Sequence, residues 1–126
     1  MEEKFFLCET CGNLMIAAIA SGVVPYCCGD EMTQIKANTT DGSKEKHLPV
    51  FSYVSKHCMK VNIGSEPHPM TPNHNIRFVC LETNNGFAIR YLDEEDLPEV
   101  HICFTGRPIA IYAYCNIHGL WRVDVP

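Results

Sequence analysis

Residues 75–92 read NIRFVCLETNNGFAIRYL, and this stretch decides the fold class. Asn75–Leu81 and Phe87–Leu92 are rich in Ile, Val, Phe and Tyr, side chains that suit a pleated, half-buried surface. Asn84-Asn85-Gly86 between them is a hairpin turn signal. Outward from this hairpin the same composition recurs at Pro49–Val54, Cys58–Ile63, Val100–Phe104, Pro108–Tyr114 and Leu120–Val125, divided by Gly, Asn, Pro and Asp. Seven short strands in about eighty residues, with no convincing helix, predict an immunoglobulin-like β-sandwich over residues 44–126. Upstream, residues 37–43 (ANTTDGS) hold turn formers and no apolar periodicity, so they read as a linker. Residues 1–36 then form a separate small domain, and the whole chain is expected to be all-β.

Composition bounds the function. With 46% hydrophobic and 20% charged residues the chain is that of a globular protein, not a disordered one. Eight cysteines and six histidines in 126 residues are the anomaly. In a secreted protein such cysteine density suggests a disulfide framework. The start, Met1-Glu2-Glu3-Lys4, has no basic n-region, and Leu14–Ala20 is too short for a signal core or a membrane span. The expectation is a cytoplasmic protein without membrane association, whose clustered cysteines hold metal. A formal charge of −5 argues against a nucleic-acid partner. The charge is uneven: residues 44–78 carry five cationic side chains against two anionic ones, and residues 82–99 carry one against six. A small anion can therefore meet a locally positive patch.

Two groups of residues carry chemistry. Cys8-Glu9-Thr10-Cys11 and, fifteen residues later, Cys27-Cys28 supply four thiolates. Two intervening residues let the chain fold back so that both sulfurs of the first pair face one ion, and four soft sulfurs in a tetrahedron suit zinc or iron. Adjacent side chains tend to diverge, so Cys27 and Cys28 should distort that tetrahedron, while a disulfide between them would be strained. The second group is dispersed: His47, then His68 with His74 six residues on, then Cys115 and His118 in the run Tyr114–Trp121. In an immunoglobulin-like sandwich the start of the first strand, the second-to-third connection and the sixth-to-seventh connection lie at one end. Here those places are residues 45–48, 64–74 and 115–119, and each contains histidine. Prolines flanking His68 restrict its backbone, and the N–H groups of Ile117 and His118 are placed to reach the Cys115 sulfur. Four imidazoles and a thiolate suit a borderline transition metal, and five ligands leave an octahedral ion one open position.

The Cys8-x-x-Cys11…Cys27-Cys28-Gly29 pattern resembles desulforedoxin and the N-terminal domain of desulfoferrodoxins. The histidine and cysteine motifs resemble the catalytic domain of superoxide reductases, called neelaredoxin when it stands alone. Together the resemblance to the desulfoferrodoxin family covers essentially the whole chain. It implies a rubredoxin/desulforedoxin-like first domain with an electron-transfer iron on Cys8, Cys11, Cys27 and Cys28, where zinc can substitute. It further implies a catalytic iron with His47, His68, His74 and His118 as nitrogen ligands and Cys115 as axial sulfur. The implied reaction is one-electron reduction of superoxide to hydrogen peroxide. Lys46 then attracts superoxide, and Glu45 occupies the sixth position of the ferric state. A rubredoxin-type donor and a homodimer are implied as well. One departure is Asn75, where relatives commonly carry an aromatic residue beside the third histidine.

Other reactive side chains read as incidental. His57 and Cys58 fall at a turn, and Cys80, Cys58 and Cys103 read as small packing residues. His101 and Cys103 alternate with Val100, Ile102 and Phe104 and so face away from them. Met70 reads as packing, and Glu66 and residues 93–96 as solvated. Two competing classes remain at this stage: an electron-transfer protein that binds no substrate, and a structural zinc module.

Overall fold

The computed structural model describes residues 4–126; Met1, Glu2 and Glu3, which open the expected domain 1–36 and the start read for a targeting signal, lie outside the described residues. Two compact units divide the chain between Ala37 and Asn38.

The first unit is made of short strands: β1 (Phe5–Leu7), β2 (Leu14–Ile16), β3 (Tyr26–Cys27), β4 (Asp30–Glu31) and β5 (Thr33–Gln34). They form a three-stranded sheet in the order β2-β1-β5 and a separate β3-β4 hairpin. Its apolar cluster is small: Phe6, Cys8 and Met32, with Ala17, Val24 and Cys27 against them. A core of this size does not offset chain entropy unaided, so a staple is expected.

The second unit begins with a single helical turn, α1 (Lys44–His47), followed by β6 (Pro49–Ser55), β7 (Cys58–Ile63), β8 (Ile76–Thr83), β9 (Gly86–Tyr91), β10 (Glu99–Cys103), β11 (Pro108–Cys115) and β12 (Gly119–Asp124). These seven strands build two sheets, β10-β7-β6 and β12-β11-β8-β9, with every pairing antiparallel. The expected all-β, seven-stranded sandwich is present. Period-2 alternation sends Met59, Val61 and Ile63 of β7 and Val100 and Ile102 of β10 inward, against Val79 and Leu81 of β8 and Ile111 and Ala113 of β11. Asn84 and Asn85 make the expected two-residue turn between the paired Thr83 and Gly86.

One feature differs from the sequence reading. The turn α1 has no apolar periodicity to announce it; tertiary hydrogen bonds hold it. Glu66 N–H and Ser65 Oγ donate to the Glu45 carbonyl (2.9 and 3.2 Å), and Gly64 N–H donates to Leu48 O (3.1 Å). Gly64 has φ +86°, and a Cβ there would collide with the carbonyl oxygens of Glu66 and Glu45. The start of the 37–43 stretch is tied to β12. Asn38 N–H donates to Leu120 O (2.9 Å), its Nδ2 donates to Arg122 O (3.1 Å), and its Oδ1 accepts from Arg122 N–H (2.9 Å). β12 is an edge strand whose outer backbone groups need partners, and Asn38 supplies them.

A further correction concerns Cys58 and Cys103. They are not free packing residues: they are joined as a disulfide. The reason is register, because the two residues stand directly opposite on β7 and β10 and so share one face. Cys80 is fully buried, and no helix among the described residues is long and apolar enough to cross a membrane.

Candidate metal centres

The first centre is built by two tight turns. Cys8 N–H donates to Asn13 O and Gly12 N–H to Cys8 O, both at 2.8 Å, with Gly12 left-handed at φ +83°. This knuckle joins β1 to β2 and turns Cys8 and Cys11 toward one point. The second turn solves the problem of adjacent cysteines. Cys28 and Gly29 are the two-residue loop between the paired Cys27 and Asp30, and both have positive φ (54° and 82°). Two left-handed residues are the hairpin geometry that matches strand twist. With Cys28 in that conformation, its side chain returns to the side that Cys27 faces.

The sulfurs of Cys8, Cys11, Cys27 and Cys28 all lie within 4.8 Å of one another. Cys11 Sγ is 3.7 Å from Cys27 Sγ, and Cys27 Sγ is 4.0 Å from Cys28 Sγ. A tetrahedron with metal–sulfur bonds of about 2.3 Å has edges of roughly 3.8 Å. Electrostatics agree. The backbone N–H of Cys11 chiefly draws the Cys8 thiol down to about 6, while the sulfurs of Cys11 and Cys8 push Cys28 up to about 12 and also raise Cys27. Four thiolates this close repel one another unless a cation sits among them.

The second centre gathers side chains from three distant places. α1 delivers His47, the loop between β7 and β8 delivers His68 and His74, and the tight β11–β12 turn delivers Cys115 and His118. One ligand atom each from His47, His74, Cys115 and His118 lies within 4.8 Å of the others. His68 joins at one side, its Nε2 being 3.2 Å from His47 Nε2 and its ring 4.7 Å from that of His74. Cys115, His47 and His68 are buried, whereas His74 and His118 are half-buried, so the cluster sits at the solvent end of the core.

Hydrogen bonds fix which nitrogens point inward. His47 Nδ1 lies 2.6 Å from the Ser43 carbonyl and His68 Nδ1 lies 2.7 Å from that of Pro69. A carbonyl only accepts, so both rings carry their proton on Nδ1 and present a bare lone pair on Nε2. Those two lone pairs face each other at 3.2 Å. His118 Nδ1 closes on the same point, 3.0 Å from His47 Nε2 and 3.8 Å from Cys115 Sγ. His74 Nε2 is buried and has no hydrogen-bond partner. Lone pairs converging in a buried pocket are unfavourable unless something electron-deficient lies between them. A shared proton is disfavoured, because burial brings His68 down to about 4 and also lowers His47 and His74, with neighbouring rings and Lys46 adding to the effect. A metal cation fits the donors present.

The sulfur is tuned in the way the spacing suggested. Burial pushes the Cys115 thiol up, and the backbone N–H groups of His118 and Ile117 pull it back; the His118 N–H lies 3.3 Å from Sγ. Lys46 is exposed on α1 beside His47. Glu45 is exposed too, and its carboxyl is held below the usual range chiefly by its own backbone N–H, with Lys46 contributing.

Several supporting residues carried little sequence signal. Trp121 stacks on the His47 ring at 4.7 Å, and its Nε1–H donates to the His118 carbonyl at 3.1 Å, so it braces two rings at once. Its place three residues after His118 was the only hint. Asn75, the departure from the usual aromatic, is buried and structural. Its Nδ2 donates to Thr71 O (2.8 Å), and its N–H donates to Asn116 Oδ1 (2.9 Å). Asn116 Nδ2 in turn donates to Asn73 O (2.9 Å), so the two amides clasp the His74 loop to the Cys115 turn.

The known proteins with which this chain compares are consistent in kind. Residues 39–124 match the family model described as Desulfoferrodoxin. The desulfoferrodoxin of Nitratidesulfovibrio vulgaris is 34% identical over 121 residues, covering 96% of this chain and 95% of the relative. A protein of Pyrococcus horikoshii named superoxide reductase is 35% identical over 103 residues, covering 68% of this chain and 90% of its own length. The crystal structure of the superoxide reductase from Treponema pallidum superposes with a TM-score of 0.79 at 34% identity, covering 96% of this chain and 98% of that one.

Proposed function

The chain belongs to the desulfoferrodoxin family, and from that premise we propose that it is a superoxide reductase with two iron centres of different duty. It reduces superoxide by one electron, with uptake of two protons, to hydrogen peroxide. His47, His68, His74, His118 and Cys115 are the ligands we assign to the working iron. Cys8, Cys11, Cys27 and Cys28 are assigned to an auxiliary electron-transfer iron, where zinc can substitute because it accepts the same sulfurs. Iron at the imidazole–thiolate centre supplies, when bound, the reversible one-electron change that the reaction needs.

The protein's own groups prepare that centre. Carbonyl oxygens of Ser43 and Pro69 accept hydrogen bonds from Nδ1–H of His47 and His68, which fixes the tautomer and strengthens Nε2 as an electron-pair donor to a metal. Backbone N–H groups at Cys115 stabilise the thiolate form of a buried sulfur. Lys46 draws a small anion toward the rings beside it, and half-buried His74 and His118 leave that side within reach of solvent protons. Glu45, one residue before Lys46, is the carboxylate that would ligate the iron in its ferric state. A rubredoxin-type donor, a homodimer and a cytoplasmic setting complete the proposal.

The observation that carries this reading is the meeting of two bare imidazole lone pairs, 3.2 Å apart, beside an unpartnered His74 nitrogen and the Cys115 sulfur. Structural zinc sites are typically four-coordinate and closed, which this donor set is not. The test is stoichiometric: ferrous protein mixed with superoxide yields peroxide and evolves no dioxygen. Dioxygen at half the superoxide consumed would make it a dismutase, and superoxide left unconsumed would make it an electron carrier.

A further inference from the structure

Cys58 opens β7 and Cys103 closes β10, directly opposite each other on the solvent face of the sheet β10-β7-β6. They are the disulfide-bonded pair, whereas the other six cysteines are free thiols: four in the knuckle centre, Cys115 and the buried Cys80. Neither takes part in a metal centre. β7 carries the chain from Cys58 to Ile63, just before the loop that bears His68. Five residue steps at roughly 3.4 Å each put the sulfur pair about 17 Å along the strand from that end.

The surroundings suit redox chemistry. Lys56 occupies the turn before Cys58, while the next residue pair with the same facing, Lys60 opposite His101, is engaged by Glu99, with Lys60 Nζ 3.2 Å from its carboxylate. The Lys56 cation in the adjoining turn favours the thiolate, the form that reacts. Cys103 is exposed and lines an open cleft of about 450 Å³ with Phe87, Ala88, Phe104 and Asn85. A small molecule can therefore approach its sulfur. In a reducing compartment such a bond is usually transient, and forming it requires an oxidant.

We propose that Cys58 and Cys103 are a reversible dithiol–disulfide couple oxidised by the hydrogen peroxide made at the iron centre, a third redox site of the chain. It rests on the superoxide reductase reading for its source of peroxide. The Cys103 thiolate attacks one peroxide oxygen; the O–O bond breaks, hydroxide leaves, and Cys103 becomes a sulfenic acid. The Cys58 thiolate then attacks the Cys103 sulfur; the S–S bond forms, the S–O bond breaks, and a second hydroxide leaves. The two thiol protons convert both hydroxides to water, so two thiols and one peroxide give one disulfide and two waters. Return is by thiol exchange. A small thiol entering the cleft attacks Cys103, releases Cys58 as thiolate, and a second thiol frees Cys103 with formation of the external disulfide.

The experiment uses the full iron-loaded chain, reduced with a phosphine, freed of it, and given excess hydrogen peroxide before alkylation and peptide mapping. The linked Cys58–Cys103 peptide is expected, and the protein should consume one more equivalent of peroxide per chain than C58S/C103S. Both cysteines found alkylated, with equal peroxide consumption, would overturn the couple; the map of the unmodified chain decides this even if the variant folds poorly. A second arm replaces peroxide by superoxide, with and without catalase. Linkage that catalase suppresses supports the proposal. Linkage with added peroxide but none with superoxide would overturn the coupling to the iron centre and point to the superoxide reading as the failure.

Discussion

The two metal-binding regions reach the same end, several donors on one point, by opposite routes. The four-sulfur region draws its donors from residues 8–28, uses two tight turns, and packs against a small apolar cluster of Phe6, Cys8 and Met32. Its metal is the staple that a small unit needs. The imidazole region draws donors from residues 47–118, and beyond the loop shared by His68 and His74 and the turn shared by Cys115 and His118 nothing local unites them. What unites them is a sandwich core, with Ile63 preceding one loop, Ile76 following it, and Cys115 paired to Ile76 across β8 and β11. A locally built site should therefore track its own turns, whereas a dispersed site should track the stability of the whole unit.

A cavity in the core separates the two behaviours most strongly. Ile76 is fully buried, and Ile76→Ala should cost about 2–5 kcal/mol in the second unit. Thermal scans should show the imidazole-centre absorption lost well below its normal temperature, with the four-sulfur spectrum retained to its usual point. Concerted loss of both spectra would mean the regions are not independent.

That prediction also explains what was readable beforehand. Cys8-x-x-Cys11 and Cys27-Cys28 announce a site because their spacing is the geometry. The seven strands were legible from β-branched and aromatic runs cut by Gly, Asn and Pro, and strand topology then brought three histidine-bearing loops to one end. Other features arise only from tertiary pairing. The Cys58–Cys103 bond depends on the register of β7 against β10, which composition does not encode. The turn α1 is held by Gly64, Ser65 and Glu66 in addition to its own backbone bonds. Bracing by Trp121 and the Asn75–Asn116 clasp likewise exist only once the strands are in place.

Acid should affect the metal-free imidazole region next. Folded His68 sits at about 4, and His47 and His74 are also lowered, whereas the unfolded chain binds these protons near 6.5. Between those limits the unfolded state binds more protons, so stability falls as pH drops from about 6.5 toward 4 and levels off below. Denaturant unfolding of metal-free protein across this range checks it, and His68→Gln should flatten the slope. An unaltered slope would remove His68 from the buried cluster.

The smallest effect belongs to Lys46, which is exposed. Lys46→Ala should slow the superoxide encounter by about three- to tenfold at low ionic strength, and the difference should shrink as salt is added. Stopped-flow or pulsed generation of superoxide reads this directly, with the absorption of both centres unchanged.

The most direct test of a dispersed but single redox centre is anomalous diffraction at the iron edge from crystals of the iron-loaded chain. Two peaks are expected. One should lie among the sulfurs of Cys8, Cys11, Cys27 and Cys28. The other should be within about 2.0–2.4 Å of Nε2 of His47, His68 and His74, Nδ1 of His118 and Sγ of Cys115. A lone peak in the four-sulfur knuckle, with the imidazoles spread apart in iron-replete protein, would contradict the account.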